Sequence, residues 1–344
     1  MKKYSTLILA VLLVITSFFS LFIGVLDVNF GDLIRGVPDT WHVFIVSRLP
    51  RLLAILCTGI GMSVAGLIMQ QLCMNKFVSP TTGATISSAQ VGILLTLIWF
   101  PHATIWGRAL LSFVFAILGT WIFVLFIQRI QFKNAAMVPL IGIMFGQVLG
   151  GLTSFFAFKF EVTQGLSAFL VGSFSAVLKG RYELVYMAIP LVILAFIYAN
   201  HFNIVGMGKD FSKNLGVNYN LVLFSGLTLS AIITAAIVSV VGSISFIGLI
   251  VPNVVAMFKC DKIRGTLIDT ALFGALFVLV CDMIARVVIL PYELPIGLII
   301  GIIGSIVFTV LLIQRLKPKK PAPKTVFVQD CAKEIQVDIK GGQS

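Results

Sequence analysis

Charge is what this sequence of 344 residues lacks. Asp, Glu, Lys and Arg together make up 11% of it, against 59% hydrophobic residues. With a mean hydropathy of +1.07, the apolar surface exceeds what a soluble fold can cover, so the composition implies a polytopic membrane protein. Phosphate-binding chemistry is missing too. No GxxxxGK[ST] string occurs; the nearest, GMGKDFSK (206–213), lacks the spacing and the Ser/Thr after lysine. HExxH, GxSxG and paired carboxylates are also absent, and few of the 13 acidic residues fall inside apolar runs. An intramembrane enzyme needs ionisable groups there, so the expectation is a protein with no catalytic residue. The five cysteines are scattered without a CxxC, and four lie in or beside apolar runs, which fits buried thiols rather than disulfides or a metal site. His42, His102 and His201 sit near run ends, an interfacial placement, and no metal ligand set is expected.

What is present is length in apolar runs. A helix needs about 20 apolar residues to cross a bilayer. Ten candidates lie near 5–26, 49–72, 84–100, 108–128, 136–157, 183–199, 221–241, 245–258, 267–289 and 295–314. The first follows Lys2-Lys3 and is too long for the core of a signal peptide, with no small-residue cleavage site before Asp27, so it reads as a span. An even number of spans puts both termini on one side. The N-terminus, the even-numbered connections and the tail hold 17 of the 25 Lys and Arg, among them Lys76, Arg129, Lys133, Lys209, Lys213, Lys259, Lys262, Arg264 and Arg315. The positive-inside rule then places both termini in the cytoplasm. This distribution also accounts for the net charge of +12 without invoking nucleic acid. Residues 1–315 form the expected transmembrane domain, and 316–344, rich in proline and lysine, a flexible polar cytoplasmic tail.

The remaining eight basic residues break the rule, and Arg48, Arg51, Lys179, Arg181 and Arg286 are among them. Arg48 and Arg51 bracket Pro50 at the head of the second span, in VSRLPRLLA (46–54). Arg286 lies four residues after Asp282 in the ninth span, so the two share a helical face and can form a structural ion pair. The alternative is that Arg286 is presented outside. Glu293 precedes Leu294 and Pro295 at the start of the tenth span, where a carboxylate suits the positive end of a helix dipole.

Two further patterns stand out. Gly142, Gly146 and Gly150 recur in the fifth span, and Gly297, Gly301 and Gly304 in the tenth. Such stripes either let helix backbones approach closely or face a translocation path. Residues 206–218, GMGKDFSKNLGVN, offer a short helix for Asp210 to cap and Gly216 to stop after Leu215. It is either a surface turn or a docking knob for a cytoplasmic partner.

Several strings together resemble one family, the FecCD-type permeases of binding-protein-dependent ABC importers for ferric siderophores, haem and cobalamin. They are RLPR (48–51), Gly59, Gly66 and Gln70 of the second span, Leu215-Gly216, GSISFIGLIVPN (242–253), DMIAR (282–286) and ELPIG (293–297). The resemblance covers about residues 1–315. It implies an all-α type II importer permease of ten helices in the bacterial cytoplasmic (inner) membrane. It further implies a permease homodimer or heterodimer, two cytoplasmic ATPase subunits that carry the ATP and Mg this chain does not bind, and a periplasmic or lipid-anchored binding protein. Arg48, Arg51 and Arg286 match outward arginines that receive acidic side chains of the binding protein. Gly208, Lys209, Asp210, Ser212, Leu215 and Gly216 match the segment that couples to the ATPase, and the fifth and tenth spans match helices lining the path. Departures exist: GATISSA (83–89) replaces GxSxGA, Lys209 stands where an acid is common, GSISFIGL replaces GPxGFIGL, and Asn253 replaces the usual His. NKFVSP (75–80), in place of NPLAxP, looks like the branch handling catecholate siderophores such as enterobactin or petrobactin. The alternatives are a haem or cobalamin permease of the same family, or an ion-coupled secondary transporter with Asp282 as its acid.

Overall fold

The computed structural model of the protein describes residues 2–24, 30–80, 84–129, 137–180, 183–259, 263–289 and 292–316. These residues are helical throughout, with two isolated β-bridges and no named strand among them. The helices are α1 (Lys2–Phe22), α2 (Phe30–Ile34), α3 (Pro38–Val43), α4 (Leu49–Leu72), α5 (Thr85–Trp99), α6 (Ile105–Arg129) and α7 (Met137–Lys159). They continue with α8 (Thr163–Leu170), α9 (Ala188–Val205), α10 (Lys209–Asn214), α11 (Tyr219–Val241), α12 (Ile247–Phe258), α13 (Ile263–Val287) and α14 (Ile296–Leu316). Seven stretches are long and apolar enough to cross a membrane, and 85–99, 247–258 and 296–311 are shorter apolar helices. Together they account for all ten expected runs. The short helices α2 and α8 carry no such run and were not expected, nor was α3, which lies at the head of the Pro38–Leu72 stretch.

The chain divides into two units, 1–304 and 305–344, with the boundary inside α14. Of the second, the described part is the end of that helix, where Thr309 Oγ1 donates to the Ser305 carbonyl. The expected tail lies outside the described residues beyond Leu316.

The core of the first unit centres on α4, which packs on α9, α11, α12 and α13. Lipid tails are as apolar as leucine, so what favours this packing is close contact between backbones and side chains rather than escape from water. Small residues supply that contact. A Cβ on Gly59 would sit 2.6 Å from the Ala275 Cα, and one on Gly66 would overlap the carbonyl of Gly248. Around these points Ile55, Met62, Ile68, Leu72, Ile233, Ile237, Ile247 and Leu279 are fully enclosed.

Two prolines shape the helices locally, because each removes a backbone donor. Pro50 cannot donate to the Val46 carbonyl. The chain responds with a π-helical turn over Phe44–Arg48, in which Leu49 N–H reaches back to Phe44, and the Val46 carbonyl accepts from Lys179 N–H at 3.0 Å. Pro252, inside α12, likewise leaves the Gly248 carbonyl without its helical partner. The Gln70 amide of α4 supplies it, donating to Gly248 and Leu249 carbonyls at 3.1 and 3.2 Å. Asn253, in the same helix, donates to Leu249 and to the Lys76 carbonyl, both at 2.7 Å.

Candidate functional site

The arginines gather where the C-terminal ends of α1 and α13 meet the N-terminal end of α4. Helices alternating in direction across a membrane bring those three ends to one side. The π-helical turn made by Pro50 carries Arg48, and the first turn of α4 carries Arg51, so both point into this junction. Arg51 donates to Asp282 Oδ1 at 2.8 Å and to Glu293 Oε2 at 2.7 Å. Arg286 pairs with the other oxygen of Asp282 one turn away and donates to the carbonyls of Ser20 and Ile23 at 3.0 and 2.9 Å. Arg48 donates to the Ile23 carbonyl at 2.6 Å. The Ser175 hydroxyl donates to Glu293 Oε2 at 2.8 Å. The network thus ties α1, α4, α13, the segment after α8 and the connection into α14.

This arrangement contains the Asp282–Arg286 pair expected from the i, i+4 spacing. It differs from the expected outward presentation: Arg48 and Arg51 are each 7% exposed and Arg286 is 2% exposed. Two carboxylates close by draw the guanidinium groups inward, since a charge in a low-dielectric setting is tolerated only beside its opposite. Glu293 differs too. Its carboxylate is held by a side chain of α4 and by Ser175, instead of serving only the start of α14. Burial alone would raise its carboxyl, but the Arg51 guanidinium and the Ser175 hydroxyl reverse that and hold it below the ordinary carboxylate value. Ser20 and Ser175 were not legible beforehand, because their partners lie 266 and 118 residues away. A second buried charge was also missed. Asp269 of α13 accepts from Thr6 of α1 at 2.6 Å and pairs with Lys259, which clips the otherwise lipid-exposed α1 to the bundle at its other end.

At that opposite side α10 is indeed a short helix. Its N-cap is Gly208, with φ +110, so Asp210 sits in the first turn and does not cap it. Gly216, with φ +73, ends it as expected, and Gly216 N–H and Val217 N–H close on the Lys213 and Ser212 carbonyls. Ser212 is buried and its hydroxyl donates to Ile204 and Gly208 carbonyls, fixing α10 against the end of α9. Lys209 and Asp210 are exposed. Met207, Phe211 and Leu215, four residues apart in turn, are 66%, 47% and 54% exposed.

The glycine stripes divide. Gly142 and Gly146 are buried. Added Cβ atoms would press on Phe246 at Gly304 and stand 3.4 Å from the Gly172 nitrogen at Gly297, so these two are packing positions. Nothing lies within 4 Å of such an atom at Gly150 or Gly301. No group of three His, Cys, Asp or Glu able to hold a metal occurs among the described residues.

Comparison with known proteins fits this architecture. Residues 12–314 match the FecCD transport family. A petrobactin import system permease protein of Bacillus subtilis (strain 168) is 44% identical over 307 residues, covering 89% of this chain and 97% of that protein. A petrobactin import system permease protein of Bacillus anthracis is 37% identical, covering 91% and 92%. A ferric-anguibactin transport system permease protein of Vibrio anguillarum is 36% identical, covering 87% and 95%. Among solved structures, a chain described as a metal-chelate type ABC transporter in an inward-facing conformation superposes with a TM-score of 0.78 at 24% identity, covering 91% of this chain and 99% of that one. Ten apolar helices, the glycine-mediated contacts of α4 and a family match over nearly the whole chain lead to one identification: the chain belongs to the FecCD transport family, as a multi-pass permease of the bacterial cytoplasmic membrane.

Proposed function

We propose that this permease carries a ferric siderophore of the catecholate-bearing kind, with petrobactin the first candidate, inward through a binding-protein-dependent ABC importer. The observation that carries the substrate is the 44% identity, over 97% of its length, to a petrobactin import system permease. A ferric siderophore of this kind is a bulky anion, and α7 and α14 contribute no carboxylate along their length. The chain supplies the membrane path and no ATPase motif. ATP and Mg belong to two cytoplasmic ATPase subunits, and two permease chains, alike or different, flank the path. In this reading a loaded binding protein docks over the arginine cluster, ATP closes the ATPases, and α10 conveys that motion to the helices. The stripe Met207, Phe211 and Leu215 supports the last step, because three large apolar side chains exposed on a polar connection suit a groove on a partner.

The test is uptake of radiolabelled ferric petrobactin into cells lacking their own permease and complemented with this chain. Expected is uptake that requires the partner ATPase and survives brief treatment with an uncoupler. Uptake that needs no ATPase and collapses with the proton gradient would instead support the ion-coupled reading through Asp282.

A further inference from the structure

Phenylalanine rarely takes a left-handed backbone, because its Cβ crowds the following carbonyl oxygen. Phe246 does so, with φ +69, at the N-cap of α12. Such a conformation persists only where its surroundings over-determine it, and two contacts do that here. The Gln70 amide of α4 holds the next turn by the Gly248 and Leu249 carbonyls. On its other side Phe246 lies against α14, where a Cβ on Gly304 would stand 2.9 Å from the Phe246 Cβ. Phe246 therefore joins the start of α12 to the helix expected to line the path. The right-handed backbone, which phenylalanine prefers, is its second state.

The adjacent residue of α4 makes a different contact. Gln71 lies against the end of α9: a Cβ on Gly206 would sit 2.4 Å from its Nε2 and 2.8 Å from its Cδ. Gly206 is the C-cap where α9 passes toward α10, and the Ser212 hydroxyl of α10 is bonded back to the Ile204 and Gly208 carbonyls. A push on α10 therefore arrives at Gly206, and with no Cβ there the Gln71 side chain rests directly on the backbone. Beside this contact a cavity of about 260 Å³, lined in part by Gln70, Gln71, Gly206, Pro252 and Thr266, gives the junction room to move. Contacts thus run from Gly206 through Gln71 and Gln70 to the start of α12, and from Phe246 to Gly304.

We propose that the two glutamines relay displacement of α10 to Phe246, which, passing between its left-handed and right-handed conformations, is the switch that shifts α14 at Gly304. Gln71 is then a positioning residue for transport, acting through α4 and α12. This rests on the reading of α10 as the coupling segment. A purely structural contact predicts something else, a loss of stability with transport per ATP unchanged.

The experiment uses the whole transporter, permeases with ATPases and loaded binding protein, in proteoliposomes, and reads ferric petrobactin moved per ATP hydrolysed. Gln71→Ala is expected to lower that ratio roughly fivefold, within the range by which residues between coupled sites alter coupling. Gln71→Met, which refills the contact with Gly206, restores it. Phe246→Gly, at ease in the left-handed region but without the ring, lowers the ratio by a similar factor. The double variant lowers it no further, because both residues lie on one relay. If the glycine variant does not assemble, Gln71→Ala and Gln71→Met decide alone. A wild-type ratio in Gln71→Ala, while Leu215→Asp still lowers it, overturns the relay alone, whatever happens to the unfolding temperature. Losses that multiply in the double variant overturn the route through Phe246. A wild-type ratio in both Gln71→Ala and Leu215→Asp overturns the relay and the coupling reading together.

Discussion

Buried charge decides the behaviour of single residues here. Removing one partner of a buried pair leaves the other uncompensated, at a cost of about 3–5 kcal/mol, whereas removing both is far milder. Asp282→Asn is therefore expected to destabilise the solubilised protein by about that amount, and Asp282→Leu combined with Arg286→Leu to recover part of it. Thermal unfolding in detergent, followed by monomer recovery, reads both. Glu293 adds a pH dependence. Its folded carboxyl lies below the ordinary value, so its contribution to stability is present above that value and lost as pH falls through the folded one. Acid titration should show a loss of stability in the wild type that is reduced in Glu293→Gln. The sequence disclosed Asp282 with Arg286 because four residues on one helix is a local fact. Burial of Arg51 was not disclosed, because it is set by Asp282 and Glu293, 231 or more residues away, and Arg48 donates to the Ile23 carbonyl, beyond the reach of its own helix.

At the scale of elements, the length of the apolar runs was enough to locate all ten long or apolar helices. The departures lie where a tertiary partner decides. The π-helical turn before α4 follows from Pro50, but its loose carbonyl is satisfied by Lys179 from another segment. The missing backbone bond inside α12, which stays helical through Pro252, follows from that proline, but Gln70 of α4 replaces it. Gln70→Leu should leave the Gly248 carbonyl bare in the core and cost about 1–3 kcal/mol, seen as a lower unfolding temperature. Gly66→Ala should be worse, because the added methyl would overlap Gly248. Gly150→Ala, facing open space, should accumulate normally, and immunoblots of membrane fractions would distinguish the two. In α10, Leu215→Asp should leave insertion intact while cutting transport more than ATP hydrolysis, measured together in proteoliposomes. Normal transport in that variant would place the coupling contact elsewhere.

Across the whole molecule, the cluster of Arg51, Asp282 and Arg286 has a consequence for how the protein is made. Arg51 leaves the ribosome 231 residues before Asp282, which at roughly 5–20 residues per second is a delay of roughly 10–50 s. During that interval α4 carries Arg51 toward the far side of the membrane before Asp282 and Glu293 exist, at a cost of about 2.5–3.5 kcal/mol if it sits deep. The N-terminal half is thus a debtor awaiting α13. Chains truncated before α13 should be degraded quickly, while those ending after residue 293 should persist, as pulse-chase labelling would show. Supplying α13 and α14 as a separate fragment should rescue the shorter chains.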